Sequence, residues 1–468
     1  MNFTKVALVS LFMAVAAVFL SVAFQPPALL VGIFFIALCV GLAIWRALKE
    51  GRRHLFSPLP LILLYMGIGI GGKGIFNLLT HESKIAASVD PTSSQHEELL
   101  FKTFLLSGLG IIAYLIGDIL AGRGQARARV IGPRRARFVL RGSWMARTGI
   151  VFTGIGTIAQ LARHGSTLFL SPGSLAVEGM SGLFWTFPLL FGGIFGCGFS
   201  ILNDWIEKRE SSLLKYITFG IVTLFVFTIT SSKAAIIISI LLLLVGRHLT
   251  VGPVKIRSLI ISPLLLLVSM PYLYNYRAFG INLGRVPLYD QNPLFVGALQ
   301  FFNRAYMADS ISTILAKTPN IYPYMMGKGY LELFYFWIPR SLWHDKPLSS
   351  GLSFGRTYFS ESWQAGQAFY SPTLIGDSYM NFGIPGVVLI LFIYGFGLRK
   401  LYDFCTSAWA KPARILFYCS AVYYIFSSPE GSLVSIISLS FSYLAISYFL
   451  LWVGQRTASP KPYNLEDV

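Results

Sequence analysis

The chain of 468 residues is 54% hydrophobic and only 12% charged, with a mean hydropathy of +0.64. Soluble domains carry about 25% charged residues, so this composition excludes an ordinary soluble protein and points to an integral membrane protein. A net charge of +18 would suit a nucleic-acid binder. The Lys and Arg fall mostly in short connectors between apolar runs, however, where membrane orientation requires them, so no nucleic-acid partner is expected.

Apolar stretches of about 17–22 residues predict about twelve transmembrane helices, near 5–24, 28–46, 56–79, 100–121, 148–163, 182–202, 215–231, 233–247, 257–273, 382–398, 411–428 and 434–453. The first lacks a small-residue cleavage site and reads as a span, not a signal peptide. Its connector (Gln25, Pro26, Pro27) is uncharged, the next contains Arg46, Lys49, Arg52 and Arg53, and the fourth holds eight arginines between Arg123 and Arg147. Later basic connectors contain Lys208, Arg209 and Lys215, then Arg247, Lys255 and Arg257, then Arg399, Lys400, Lys411 and Arg414. Every second connector is basic. The positive-inside rule then puts both termini in the cytoplasm, and the arginine-rich stretch suits anionic inner-leaflet lipids.

The glycine-rich GIGIGGKG (Gly67–Gly74) lies inside a span and lacks a Ser or Thr after its Lys. It reads as a close helix contact, not a phosphate loop. Lys73 is placed to snorkel to the outer surface. Further along, Lys233 follows Ser231 and Ser232 in a tight outer turn, where a cation at a helix start suits a phosphate group.

Three regions emerge: spans one to nine with their basic loops (1–271), one large outer loop (272–381), and spans ten to twelve with a cytoplasmic tail (382–468). The loop carries eight Lys/Arg against six Asp/Glu, so its cations do not serve orientation. Arg277 stands among Tyr272, Tyr274 and Tyr276 at the membrane interface. Phe301–Lys317 reads as an amphipathic helix with Phe301, Ala305, Ala308, Ile311 and Leu315 on its apolar face. Arg304 falls on that face and Asp309 flanks it. In IPRSLWHDKP (Ile338–Pro347), Arg340, His344, Asp345 and Lys346 stand between prolines beside Trp337 and Trp343. Rings beside charges suit a sugar, whose C–H faces pack on aromatics; an interfacial re-entrant turn anchored by tryptophans is the other reading. Arg356, Tyr358, Glu361, Trp363, Tyr370 and Asp377 continue this mixture to Asn381–Gly386. The four cysteines cannot form a disulfide framework, and the scattered histidines offer no metal motif, so no metal or cofactor is expected.

The segments Phe336–Pro347, SPTLIG (Ser371–Gly376), Asn381–Gly386, Ser231-Ser232-Lys233 and Arg277 resemble the bacterial oligosaccharide repeat-unit polymerases (Wzy-type). These include the O-antigen, exopolysaccharide and enterobacterial common antigen polymerases. The resemblance covers about 110 residues specifically and the topology loosely, and it departs at Lys233, where arginine is the expected residue.

It implies an all-α polytopic fold of the GT-C-like glycosyltransferase type in the bacterial inner membrane. Its activity would transfer a growing glycan from undecaprenyl pyrophosphate to an incoming lipid-linked repeat unit. Membrane lipids and a chain-length regulator protein would be partners. Under this reading Lys233, Arg277, Arg304, Arg340 and Lys346 meet pyrophosphate, while Trp337, Trp343, Tyr370 and Asp377 bind sugar. Asp345, then Asp309, His344 and Glu361, are the candidates for activating the acceptor hydroxyl, with Asp377 last. An O-antigen ligase acting on lipid A–core, and a transporter of lipid-linked sugars, are the competing readings.

Overall fold

The computed structural model describes residues 27–49, 54–80, 94–122, 140–165, 186–230, 232–254, 264, 268–269, 271–273, 293–338, 342–343, 345–347, 350–360, 371–407 and 411–456. Among these residues all regular structure is helical. The long helices are α1 (Pro27–Lys49), α2 (Pro58–Thr80), α3 (Ser94–Gly122), α4 (Gly142–His164), α5 (Phe187–Ile206), α6 (Leu213–Thr230) and α7 (Lys233–Thr250). From the expected loop come α8 (Pro293–Arg304), α9 (Met307–Lys317) and α10 (Ser350–Tyr358), before α11 (Thr373–Thr406), α12 (Pro412–Ser427) and α13 (Leu433–Arg456).

Helix starts follow local chemistry. Pro58 and Pro412 occupy first-turn positions, where the missing N–H costs nothing. Ser232 caps α7 by accepting from the Ala234 N–H.

Among the described residues eight helices are long and apolar enough to cross a membrane: α1, α2, α3, α5, α6, α7, α11 and α13. Each coincides with an expected span. The helices over 148–163 and 411–428, α4 and α12, are less apolar or shorter. Expected span 5–24 lies outside the described residues, as does most of 257–273.

Contacts at the helix ends define two sets. At the basic end, Arg46 pairs with Asp118 at 2.6 Å, Asn203 donates to the Leu140 carbonyl, and Arg399 pairs with Asp403. At the loop end, α2 meets α9 and α11 meets α13.

Glycines set the closest crossings. A Cβ on Gly117 of α3 would lie 2.1 Å from the Phe392 carbonyl oxygen of α11, and one on Gly395 would lie 2.3 Å from the Tyr114 oxygen. With no Cβ in the way, the two backbones touch, and dispersion replaces the hydrophobic drive that lipid cannot supply.

The predicted single helix over Phe301–Lys317 is two helices, because the chain breaks at Ala305 and Tyr306. The break cancels the angular relation drawn between Arg304 and Asp309. Nor is α9 a surface helix: Met307 through Ile314 are all buried, polar side chains included. It fits because α2 and α3 present polar partners to its polar face.

Candidate functional site

The loop end of α2 carries the most telling arrangement. Tyr65, Gly69, Lys73 and Asn77 recur every fourth residue, a spacing that drifts around an ideal helix by roughly 40° per step. The Gly67–Gly72 segment is a π-turn, whose wider i→i+5 winding offsets part of that drift. The four positions therefore form one stripe, and the chain from Tyr306 to Asp309 lies along it.

Gly69 makes the close approach possible, since a Cβ there would stand 2.4 Å from the Met307 sulfur. The expected close-packing role of this glycine-rich stretch is what the structure shows.

At the end of the stripe, the Asn77 amide donates to Asp309 Oδ1 at 2.6 Å, and Lys73 Nζ lies 3.7 Å from Asp309 Oδ2. Lys73 is 1% exposed and Asp309 0%. Lys73 therefore does not snorkel as the sequence suggested. Its ammonium is directed inward, 5.0 Å from the centre of the Phe76 ring. Beside it the Thr103 and Ser312 hydroxyls share a hydrogen bond of 2.8 Å. A carboxylate oriented by an amide and a cation, at the edge of the apolar layer, is suited to taking a proton from a hydroxyl or to steering one.

At the other end of the stripe, the Tyr65 hydroxyl donates to Glu430, which lies in the short turn between α12 and α13. Burial pushes the Glu430 carboxyl above the usual carboxylate range, opposed by hydrogen bonds from Tyr65 and Tyr306. Sequence reading overlooked Glu430, Asn77 and the pairing of Lys73. One signal was available, an amide and a cation four residues apart within an apolar span.

Asp377 sits one turn into α11, whose start lies nine residues before the expected span, and not in the loop. It is fully buried. Its Oδ2 accepts from the Leu433 N–H at 2.9 Å, and its backbone carbonyl accepts from Asn381. It anchors the positive end of α13, and a sugar-binding role is not needed to explain it. Lys346 is likewise engaged: its ammonium donates to the Phe336 and Ile338 carbonyls at 3.0 and 2.9 Å.

Asp345 is exposed in a turn, Trp337 donates its indole N–H to the Phe334 carbonyl, and Trp343 packs edge-on against Tyr335. Lys233 is the first residue of α7 at the loop end, half-buried. Arg277, Arg340, His344, Glu361 and Tyr370 lie outside the described residues, and Arg304 is described only in its backbone, as the last residue of α8. Of the predicted site residues whose side chains are described, Asp309 alone joins a buried polar cluster with the transmembrane helices on the α2 stripe.

Fold and composition together define a helical membrane protein. Residues 300–406 match the model of a family described as a domain of unknown function, DUF8712. No curated protein and no solved structure matches the chain. The matched stretch contains Asp309, Trp337, Lys346 and Asp377, whereas Lys73, Asn77 and Glu430 lie outside it.

Proposed function

We propose that this protein is a glycosyltransferase that polymerises lipid-linked oligosaccharide repeat units at the outer face of the bacterial inner membrane. It would have about twelve spans, cytoplasmic termini and a GT-C-like architecture. The observation that carries the reading is the Lys73–Asn77–Asp309 cluster, made where a helix of the large loop folds onto the loop end of a membrane helix. Ionisable groups at that depth are costly and mark function by default. The cluster lies just inside the loop-side edge of the apolar layer, and the pyrophosphate and glycan of a lipid carrier would lie beyond it.

In this reading Asp309 replaces Asp345 as the first candidate for orienting or deprotonating the acceptor hydroxyl. Lys73 and Asn77 hold its carboxylate in place. Attack of that hydroxyl on the anomeric carbon expels undecaprenyl pyrophosphate, whose charge Lys233, Arg277, Arg304 and Arg340 would stabilise. The loop-end location of Lys233 and of the α8 terminus is compatible with that assignment.

The test is reconstitution of the purified chain in liposomes with an undecaprenyl-pyrophosphate-linked oligosaccharide. The expected product is a ladder of elongated lipid-linked glycans, lost in Asp309→Asn. Transbilayer movement of the substrate without elongation would instead identify a transporter, and transfer only to added lipid A–core would identify a ligase.

A further inference from the structure

The break in α11 at Gly383 (φ 65°, ψ −151°) frees carbonyls in its first half. The Met325 and Met326 N–H groups take two of them, donating to the Met380 and Asn381 oxygens at 2.9 and 3.0 Å. From there the chain makes a 3-10 turn over Lys328–Phe334, with further internal bonds from Tyr335, Phe336 and Ile338. Lys346 closes the Phe336 and Ile338 carbonyls, and the Trp337 indole closes that of Phe334. These bonds satisfy much of the segment's non-helical backbone within the protein, which lowers the cost of placing it against hydrocarbon.

Two contacts give its depth. The Phe336 ring lies 6.0 Å from that of Phe441, eight residues into α13 and hence about 12 Å along its axis. The 24 residues of α13 span about 36 Å, overhanging a hydrocarbon layer of about 30 Å by about 3 Å at each end. Phe441 then lies roughly 9 Å inside that layer. Counted from the same start of α13, the Tyr330 ring meets Phe382, five residues along α11 beyond the Asp377 that binds Leu433, the first residue of α13.

The outward face of this segment is bare and apolar. Met326 is 72% exposed, Leu331 55%, Phe334 77% and Trp337 56%. It continues the exposed face of α11 and α13 formed by Ile384, Leu389 and Phe441. Four large apolar side chains exposed over Met326–Trp337 are unusual on a water-facing monomer. Between Met326 and Trp337, Glu332 is buried and Lys328 is the one exposed charge; its four-carbon stem allows it to snorkel.

We propose that Met326–Trp337 is a re-entrant segment immersed in the loop-side leaflet, with lipid acyl chains covering Leu331, Phe334 and Trp337. Trp337 then anchors the loop in lipid and does not bind sugar. The inference goes beyond the proposed activity and does not depend on it.

The test uses the full chain in lipid nanodiscs with bimane attached to Phe334→Cys, and to Asp345→Cys in an exposed turn as the reference. The four native cysteines are all buried, and the unaltered chain measures any background labelling. Bimane at position 334 is expected to be quenched by a phosphatidylcholine carrying a doxyl group high on one acyl chain and to lose quenching by iodide. Position 345 should show the reverse. Iodide quenching at 334 equal to that at 345 would overturn the proposal. So would protection from both quenchers, which would mean that a second copy of the chain covers the segment.

Discussion

The pairing of Lys73 with Asp309 yields a prediction that separates a stabilising role from a chemical one. Both side chains are almost fully buried, and the carboxylate also accepts from Asn77. Removing either partner strands a charge, and breaking a buried pair typically costs 3–5 kcal/mol. Lys73→Met should therefore destabilise by roughly that amount. Asp309→Leu should cost about as much, with a further contribution of about 1–3 kcal/mol from the Asn77 amide left without its acceptor.

The double variant strands no charge. Apolar replacement of a buried pair is often neutral, so it should recover most of the loss, giving a coupling of roughly 3 kcal/mol or more. Reversible unfolding in mixed micelles, run on the four chains of the cycle, measures it. Additive single effects, with coupling below about 0.5 kcal/mol, would refute the pairing. The stable double variant then tests the chemistry: it should fold normally yet make no glycan ladder. Full elongation by that chain would remove Asp309 from the mechanism.

Gly117→Ala should destabilise by about 1–3 kcal/mol, because its Cβ would meet the Phe392 carbonyl at 2.1 Å and that backbone cannot yield locally. Gly108→Ala on the same helix meets nothing within 4 Å and should be neutral or stabilising, and thermal unfolding compares the two. The Glu430 carboxyl is raised from 4.5 by burial, so its contribution to stability is full below that value and is lost as pH rises through the folded-state value. Glu430→Gln should flatten that part of the stability profile measured from acidic to neutral pH; parallel profiles would contradict the assignment. Lys346→Ala should speed hydrogen exchange across Phe336–Lys346 by removing two carbonyl contacts while leaving the KM for lipid-linked substrate unchanged, whereas a large rise in KM would restore its pyrophosphate role. Arg304→Ala should abolish the ladder in a chain that still inserts, and normal elongation would remove Arg304 from the leaving-group site.

The membrane-crossing helices were legible because each is decided by one comparison, that of about twenty consecutive side chains with hydrocarbon or water. That comparison needs no partner, so composition and the alternation of basic connectors exposed the spans one after another. The same reading marked out the large loop and placed Asp309, behind Asp345, among the candidates within it. Interactions between segments were not legible. Asp309 meets Asn77 across 232 residues of sequence and Glu430 meets Tyr65 across 365, and no local periodicity records such distances. Treating Phe301–Lys317 as a lone amphipathic helix assumed water on its polar side, where the structure supplies α2 and α3. The depth proposed for Trp337 likewise rests on a contact between distant segments, the packing of Phe336 on Phe441. Sequence by itself determined which segments prefer lipid. Tertiary structure decided which charges face one another, because the free energy of a buried ion belongs to the pair and its surroundings and not to either residue.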